Sequence, residues 1–220
     1  MKTKLFWILG GLCVVNFAAH LCCYPLLPQT IPTHWNAAGV VDGWGPKYMA
    51  LVLAALPALL LVLLRVVPMI DPKSENYGRF AVIYQGFTVG ITLFMVLMTW
   101  LTELWVFGFL PDGSSLIGIL VSGGIGVLFI LLGNYMPRIR QNYSFGCRTP
   151  WALADEHNWN RTQRMGGIVF VVLGVFLLLL GLFSTWLGST LTFGLLMGSI
   201  IGGSLWIYLY SFLVFKGLMK

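Results

Sequence analysis

The chain has 220 residues, of which 58% are hydrophobic and only 9% charged, with a mean hydropathy of +0.87. A soluble domain carries about a quarter charged residues, and a water-soluble fold of this length could not hide so much apolar surface, so lipid is expected as the outer solvent. The net charge of +6 would raise nucleic acid as a partner in a soluble protein, but the basic residues are few, spread between apolar runs and carry no binding motif, which argues against a direct nucleic-acid role.

The first apolar run, residues 5–24, follows Met1-Lys2-Thr3-Lys4, a basic start of the kind that opens a secretory leader. It is longer than an ordinary leader core and no small-x-small cleavage site ends it, so a retained helix is expected. Five further runs lie near 48–67, 80–101, 116–136, 167–186 and 190–215. A helix crossing roughly 30 Å of hydrocarbon at 1.5 Å per residue needs about 20 apolar residues, and each run supplies them. The runs are continuous rather than alternating, which favours helices over the short strands of a barrel. The expected fold is an all-α polytopic integral membrane bundle of six transmembrane helices, a single membrane domain over residues 1–220. Cys13, Cys22, Cys23 and Cys147 match no disulfide or metal spacing and are read as packing residues.

Lys and Arg gather on the cytosolic side of membrane proteins. With the N-terminus inside, twelve of the thirteen basic residues fall on that side, Lys47 being the exception. Both termini are therefore expected in the cytosol, with loop 25–47 outside and loop 137–166 inside. Each half of the chain has three helices, and each long loop follows the first helix of its half. Both loops pair a proline with two tryptophans (Pro32, Trp35, Trp44 and Pro150, Trp151, Trp159). A 3+3 inverted repeat is one reading of that layout; coincidence in a Trp-rich chain is the other.

In the outer loop, Pro25, Pro28 and Pro32 stop the first helix and stiffen the chain, and Asp42-Gly43 reads as a turn. His34, Asn36 and Asp42 are its polar candidates for ligand contact, with Trp35 and Trp44 suited to the headgroup region. Glu103 lies 24 residues after Arg79, about 36 Å along a helix, which brings it to the same interface. His20, in the outer third of the first helix, joins it there. Two His and two carboxylates can bind a divalent metal, so His20, His34, Asp42 and Glu103 form a speculative metal set. No metal motif supports it, and a hydrogen-bonded set pinning the loop is the plainer reading.

In the inner loop, Pro137 ends the fourth helix and Gly146 allows a tight turn. Thr149-Pro150 reads as a helix start, with Thr as cap and Pro in the first turn, followed by Asp155 and Glu156 where the helix dipole favours anions. The spacing predicts a short helix over 150–163 lying along the membrane face, anchored in the headgroups by Trp151 and Trp159. All five basic residues of the loop are arginine. They read as topology and headgroup contact, as a network pairing Arg148 or Arg164 with Asp155 or Glu156, or as a docking site for an acidic protein.

The stretch Asn134, Pro137, Asn142, Gly146, Arg148-Thr149-Pro150-Trp151, Glu156, Trp159, Thr162 and Arg164 resembles the signature of SdpI-like bacterial immunity proteins. The loop Ile31-Pro32-Thr33-His34-Trp35-Asn36 through Gly39, Asp42 and Gly43-Trp44-Gly45 is similar to a domain of unknown function often joined to it. The resemblance implies a multi-pass protein of the bacterial plasma membrane that protects against a secreted antimicrobial peptide toxin. It also implies a signalling role, in which a cytosolic transcriptional repressor is held at the membrane. On that footing the expected partners are lipid, toxin and repressor, with no cofactor and no catalysis.

Two other classes compete. A small transporter or exporter would need polar groups near the bilayer midplane, where the helices offer little beyond Asn16 and Gln85. A metal-dependent enzyme would need the four-residue set above plus a base, and a hydrolase a nucleophile such as Ser114 or Ser115, which nothing marks. Gly-rich stretches at 118–126 and 194–203 permit close helix contact, within one chain or in a homo-oligomer.

Overall fold

The computed structural model describes residues 2–111, 113 and 115–219, with only the backbone of Ser115. Lys220, counted above with the cytosolic charges, and Ser114, with the Ser115 side chain, lie outside the described residues. Six helices among them are long and apolar enough to cross a membrane: Thr3–Leu26, Met49–Ile70, Ser74–Val106, Leu116–Arg138, Glu156–Leu187 and Ser189–Phe215. The protein is an all-α polytopic membrane bundle, as expected. Its outer surface is apolar: Val82 is 83% and Trp186 86% exposed, positions that lipid and not water would solvate.

Helix α1 (Thr3–Cys23) packs on α2 (Met49–Ile70), and α2 on α3 (Ala81–Thr99). Between α1 and α2 the loop folds into an antiparallel hairpin, β1 (Thr30–Trp35) with β2 (Val41–Pro46), with Pro32 opposite Trp44 and a bulge around His34. The third helix is not one straight rod. It breaks at Trp100, and α4 (Leu101–Val106) carries Glu103. The fourth span runs α5 (Ser115–Gly118), a π-helical segment Ile119–Gly123, then α6 (Gly124–Tyr135).

The largest departure from expectation lies after α7 (Pro150–Ala154). No separate surface helix spans 150–163. The chain breaks at Asp155, whose side chain accepts from Asn158 N at 2.7 Å and so caps a new helix. That helix, α8 (Glu156–Leu187), runs unbroken into the fifth span, 11 residues before the apolar run begins. A strong cap in mid-loop outweighs the polar composition of 156–166. Helix α9 (Ser189–Phe215) follows after Gly188.

Glycine seams the second half together. A Cβ on Gly126 would lie 2.6 Å from the Gly174 carbonyl oxygen, on Gly133 2.7 Å from that of Gly167, and on Gly181 2.8 Å from that of Gly118. The α6 and α8 backbones thus touch where only hydrogen fits. The Gly118–Gly126 stretch therefore serves contact within the chain, whereas Gly194, Gly198 and Gly202 have nothing within 4 Å. The two long loops fold differently: the first is a hairpin, the second an irregular turn without strand among the described residues.

Candidate functional site

At the hairpin end, His34 Nδ1 and Asp42 Oδ1 lie 2.5 Å apart across the two strands. The side chains are 71% and 44% exposed, so water screens the pair and it remains open to a ligand. Gly43 has to be glycine here, because a Cβ on it would lie 2.8 Å from His34 Cβ. Asn36 closes the turn instead of pointing outward: its Oδ1 accepts from Ala38 N (2.9 Å) and Val40 N (3.1 Å). Thr102 Oγ1 donates to the Pro32 carbonyl at 3.0 Å and docks the hairpin on α4. Trp35 packs against Leu101, Leu110 and Ile117, with its Nε1 buried and unpartnered. Trp44 stays exposed, edge-on to Trp105 at 5.5 Å.

Beside the hairpin opens a cleft of ≈ 660 Å³. His34, Trp35, Asn36 and Asp42 form one wall; Ser122 of the π segment and Thr190 and Phe193 of α9 form the other. π segments recur at functional sites because they displace a helix face from regular spacing.

Inside the bundle at the same end lies a second polar group. His20 Nδ1 is 2.6 Å from Glu103 Oε1, and its Nε2 is 3.2 Å from Thr99 Oγ1. The imidazole stacks on Trp100 at 4.2 Å. Trp100 Nε1 donates to Asn16 Oδ1 (2.8 Å), and Asn16 Nδ2 to Thr99 Oγ1 (3.4 Å). Glu103 Oε2 has no partner. The speculative metal set thus divides into two pairs, one exposed and one buried. Among the described residues no three His, Cys, Asp or Glu side chains come together to hold a metal ion. Glu103, in α4 just past the break at Trp100, pairs with His20 of α1, whereas His34 pairs with Asp42.

At the arginine-rich end, the signature residues form a hydrogen-bonded knot. Asn142 is fully buried: Nδ2 donates to the Arg140 and Phe145 carbonyls (both 2.9 Å), and Oδ1 accepts from Ser144 N, Phe145 N and Tyr77 OH. Trp159 is also fully buried, its Nε1 donating to the Ile139 carbonyl at 2.8 Å, so it does not sit in headgroups as expected. The continuous α8 carries it into the core. Trp151 packs on Tyr208 and Phe212 of α9. Thr149 Oγ1 caps α7 by accepting from Ala152 N (3.1 Å), with Pro150 in the first turn. Gly146 has φ 101° and lies where a Cβ would meet Gln163 Oε1 at 2.7 Å.

The expected arginine pairings are not made. Arg148 donates to the Tyr143 carbonyl at 2.9 Å, and Asp155 is occupied as a cap. Glu156 is exposed in the first turn of α8, and Arg164 is exposed. Asn134 is exposed and back-bonds to the Ile130 carbonyl; Pro137 sits in the 3-10 turn Met136–Arg138 that ends the fourth span.

Sequence reasoning missed several residues of the knot. Gln163 holds both Cys147 N and the Cys147 carbonyl. Asn158 binds Ser211 twice, and Gln141 reaches the Ala152 and Leu153 carbonyls. Asp71 accepts from Lys73 N, Tyr143 N and Tyr77 OH. Burial pushes its carboxyl up, but these bonds and Ser144 together hold it below the ordinary range. Burial pushes the Cys147 thiol up to about 12. Ser211 is one of several serines in α9, with Ser199 and Ser204, and no sequence signal sets it apart.

Six apolar spans, an ordered hairpin at one end and a buried polar knot at the other define a multi-pass helical membrane protein. Its relatives are consistent with the loop resemblance. Residues 138–211 match the SdpI/YfhL protein family, and residues 11–61 match a domain of unknown function, DUF1648. Over those two stretches the chain is similar to both. It is 27% identical over 173 residues to the Immunity protein SdpI of Bacillus subtilis (strain 168), covering 77% of this chain and 78% of that one. No solved structure matches.

Proposed function

We propose that the protein is a non-enzymatic immunity protein, which protects the cell that makes it from a secreted antimicrobial peptide toxin. The observation that carries this reading is the likeness to an immunity protein along most of both chains. The hairpin end faces out and the arginine-rich end faces the cytosol, as the placement of basic residues favours. The exposed His34–Asp42 pair and the cleft beside it receive the peptide, whose apolar and cationic groups suit Trp35, Phe193 and the Asp42 carboxylate.

A signalling role fits the third span. Its Thr102 holds the hairpin, and its Tyr77 reaches Asn142 in the opposite cap. A toxin that prefers one tilt of this span would alter the inner cap and its affinity for a cytosolic repressor. The test is survival of a toxin-sensitive strain expressing the wild type, His34→Ala, Asp42→Ala or Arg148→Ala. The first two are expected to lose protection at unchanged protein level; equal survival with and without the gene would remove the immunity reading for that toxin.

The buried His20–Glu103 pair favours a second reading, a small exporter using that pair to move protons. Toxin efflux from loaded vesicles that stops when the proton gradient is collapsed would select it over binding alone.

A further inference from the structure

The arginine-rich end carries a feature that neither the knot nor the immunity reading uses. Arg79, Arg138, Arg140 and Arg164, with Asn160 between them, line a hollow of ≈ 340 Å³. The four come from separate places: Arg79 from the 3-10 turn Ser74–Phe80, Arg138 and Arg140 from the end of the fourth span and the loop after it, Arg164 from the third turn of α8. A second hollow of ≈ 570 Å³, lined by His157, Asn160, Arg161, Arg164 and Tyr210, adjoins it and shares Arg164 and Asn160.

Four like charges facing one concavity repel one another unless something neutralises them. Among the described residues no carboxylate lies within ion-pair distance of Arg79, Arg138, Arg140 or Arg164; the close acid–base pairs, His20 with Glu103 and His34 with Asp42, lie at the other end. The backbone beneath the arginines is fixed, which lowers the entropy a ligand would otherwise have to remove. Asn142 holds the Arg140 carbonyl and Trp159 the Ile139 carbonyl. Arg138 rests over the Tyr135 ring at 5.7 Å. An anion would relieve that repulsion, and the planar fork of arginine matches phosphate geometry.

Position selects the source of that phosphate. Arg138 is the last residue of one span, and Arg79 and Arg164 lie within three residues of the points, near 80 and 167, where the apolar runs of two others begin. The hollow therefore opens at the depth of lipid headgroups and beside acyl chains. We propose that it is a binding site for the phosphate of an anionic phospholipid headgroup. The site depends neither on toxin immunity nor on which way the bundle faces.

The test uses the full chain purified in neutral detergent, with its melting followed as phosphatidylglycerol, phosphatidylcholine or inorganic phosphate is added. Phosphatidylglycerol is expected to raise the midpoint, and phosphatidylcholine and inorganic phosphate are expected to leave it unchanged. Arg140→Gln and Arg164→Gln are each expected to weaken the lipid effect about tenfold, the loss of one charged hydrogen bond. The pair Arg140→Lys with Arg164→Lys keeps charge and fold but loses the fork, and is expected to weaken it as well. Lys2→Gln with Lys4→Gln removes twice the charge of either single arginine variant, away from the hollow, and should change nothing. A lipid effect that falls equally in the Lys2/Lys4 variant means diffuse attraction and overturns the site. A midpoint raised by inorganic phosphate and not by phosphatidylglycerol overturns the lipid assignment in favour of a soluble anion.

Discussion

His20 Nδ1 lies 2.6 Å from Glu103 Oε1, and both side chains are closed to solvent inside the bundle. Breaking such a pair leaves one polar group stranded, at about 3–5 kcal/mol where the group is charged. His20→Ala and Glu103→Ala are each expected to destabilise the hairpin end strongly, with Glu103→Gln milder because it keeps the shape and one acceptor. Thermal melting in detergent checks this. A Glu103→Ala midpoint equal to wild type would mean the pair holds nothing together.

The knot at the other end has its own dependence on pH. Asp71 has a folded pKa below its unfolded value of about 3.9. Its contribution to stability is therefore complete above that unfolded value and is lost as pH falls through the lower folded value. Melting followed from pH 7 down to about 3 should decline only in the acid part of the range on account of this group, and Asp71→Asn should flatten that decline while lowering the midpoint at pH 7. Asn142→Ala, which strips several buried hydrogen bonds at about 1 kcal/mol each, should be worse than either.

Two glycine variants separate packing from composition. Gly174→Ala places a methyl 2.6 Å from the Gly126 carbonyl oxygen, whereas Gly198→Ala meets nothing within 4 Å. Gly174→Ala is expected to cost about 1–3 kcal/mol by forcing α6 and α8 apart. Gly198→Ala should be neutral or slightly stabilising in helix propensity. Equal midpoints for the two would refute the glycine seam.

Cys147 offers a reporter of the inner cap. Burial raises its thiol to about 12, so almost no thiolate forms at pH 8. Maleimide should label it slowly in the folded protein and quickly after denaturation. Saturating toxin is expected to change the slow rate if the third span links the caps; an unchanged rate would confine toxin effects to the hairpin end.

The membrane architecture was legible because six long apolar runs state it directly. The loops were legible only in part. Thr149-Pro150 announced α7 correctly, since capping is a local property. The polar composition of 150–163 reads as one short surface helix, yet Asp155 ends α7 and caps the long helix α8, and the polar faces of 156–166 are satisfied by partners from distant segments: Asn158 by Ser211, Gln163 by Cys147. The same polarity makes Trp159 read as a headgroup anchor. Rise per residue places Glu103 at the hairpin end of the bundle, but its pairing with His20, from a helix 83 positions away, has no local sequence signal. The hairpin pairing of His34 with Asp42 needed the bulge and Gly43 to be seen in place.

The account rests most directly on whether the hairpin end is outside the cell and meets the toxin. With the four native cysteines replaced by serine and Ala37→Cys introduced in the cleft wall beside the His34–Asp42 pair, intact cells should be labelled at that position by a maleimide that cannot cross the bilayer, and saturating toxin should protect it. Labelling only in inverted vesicles would reverse the orientation, and labelling in intact cells that toxin never slows would remove the cleft as its site.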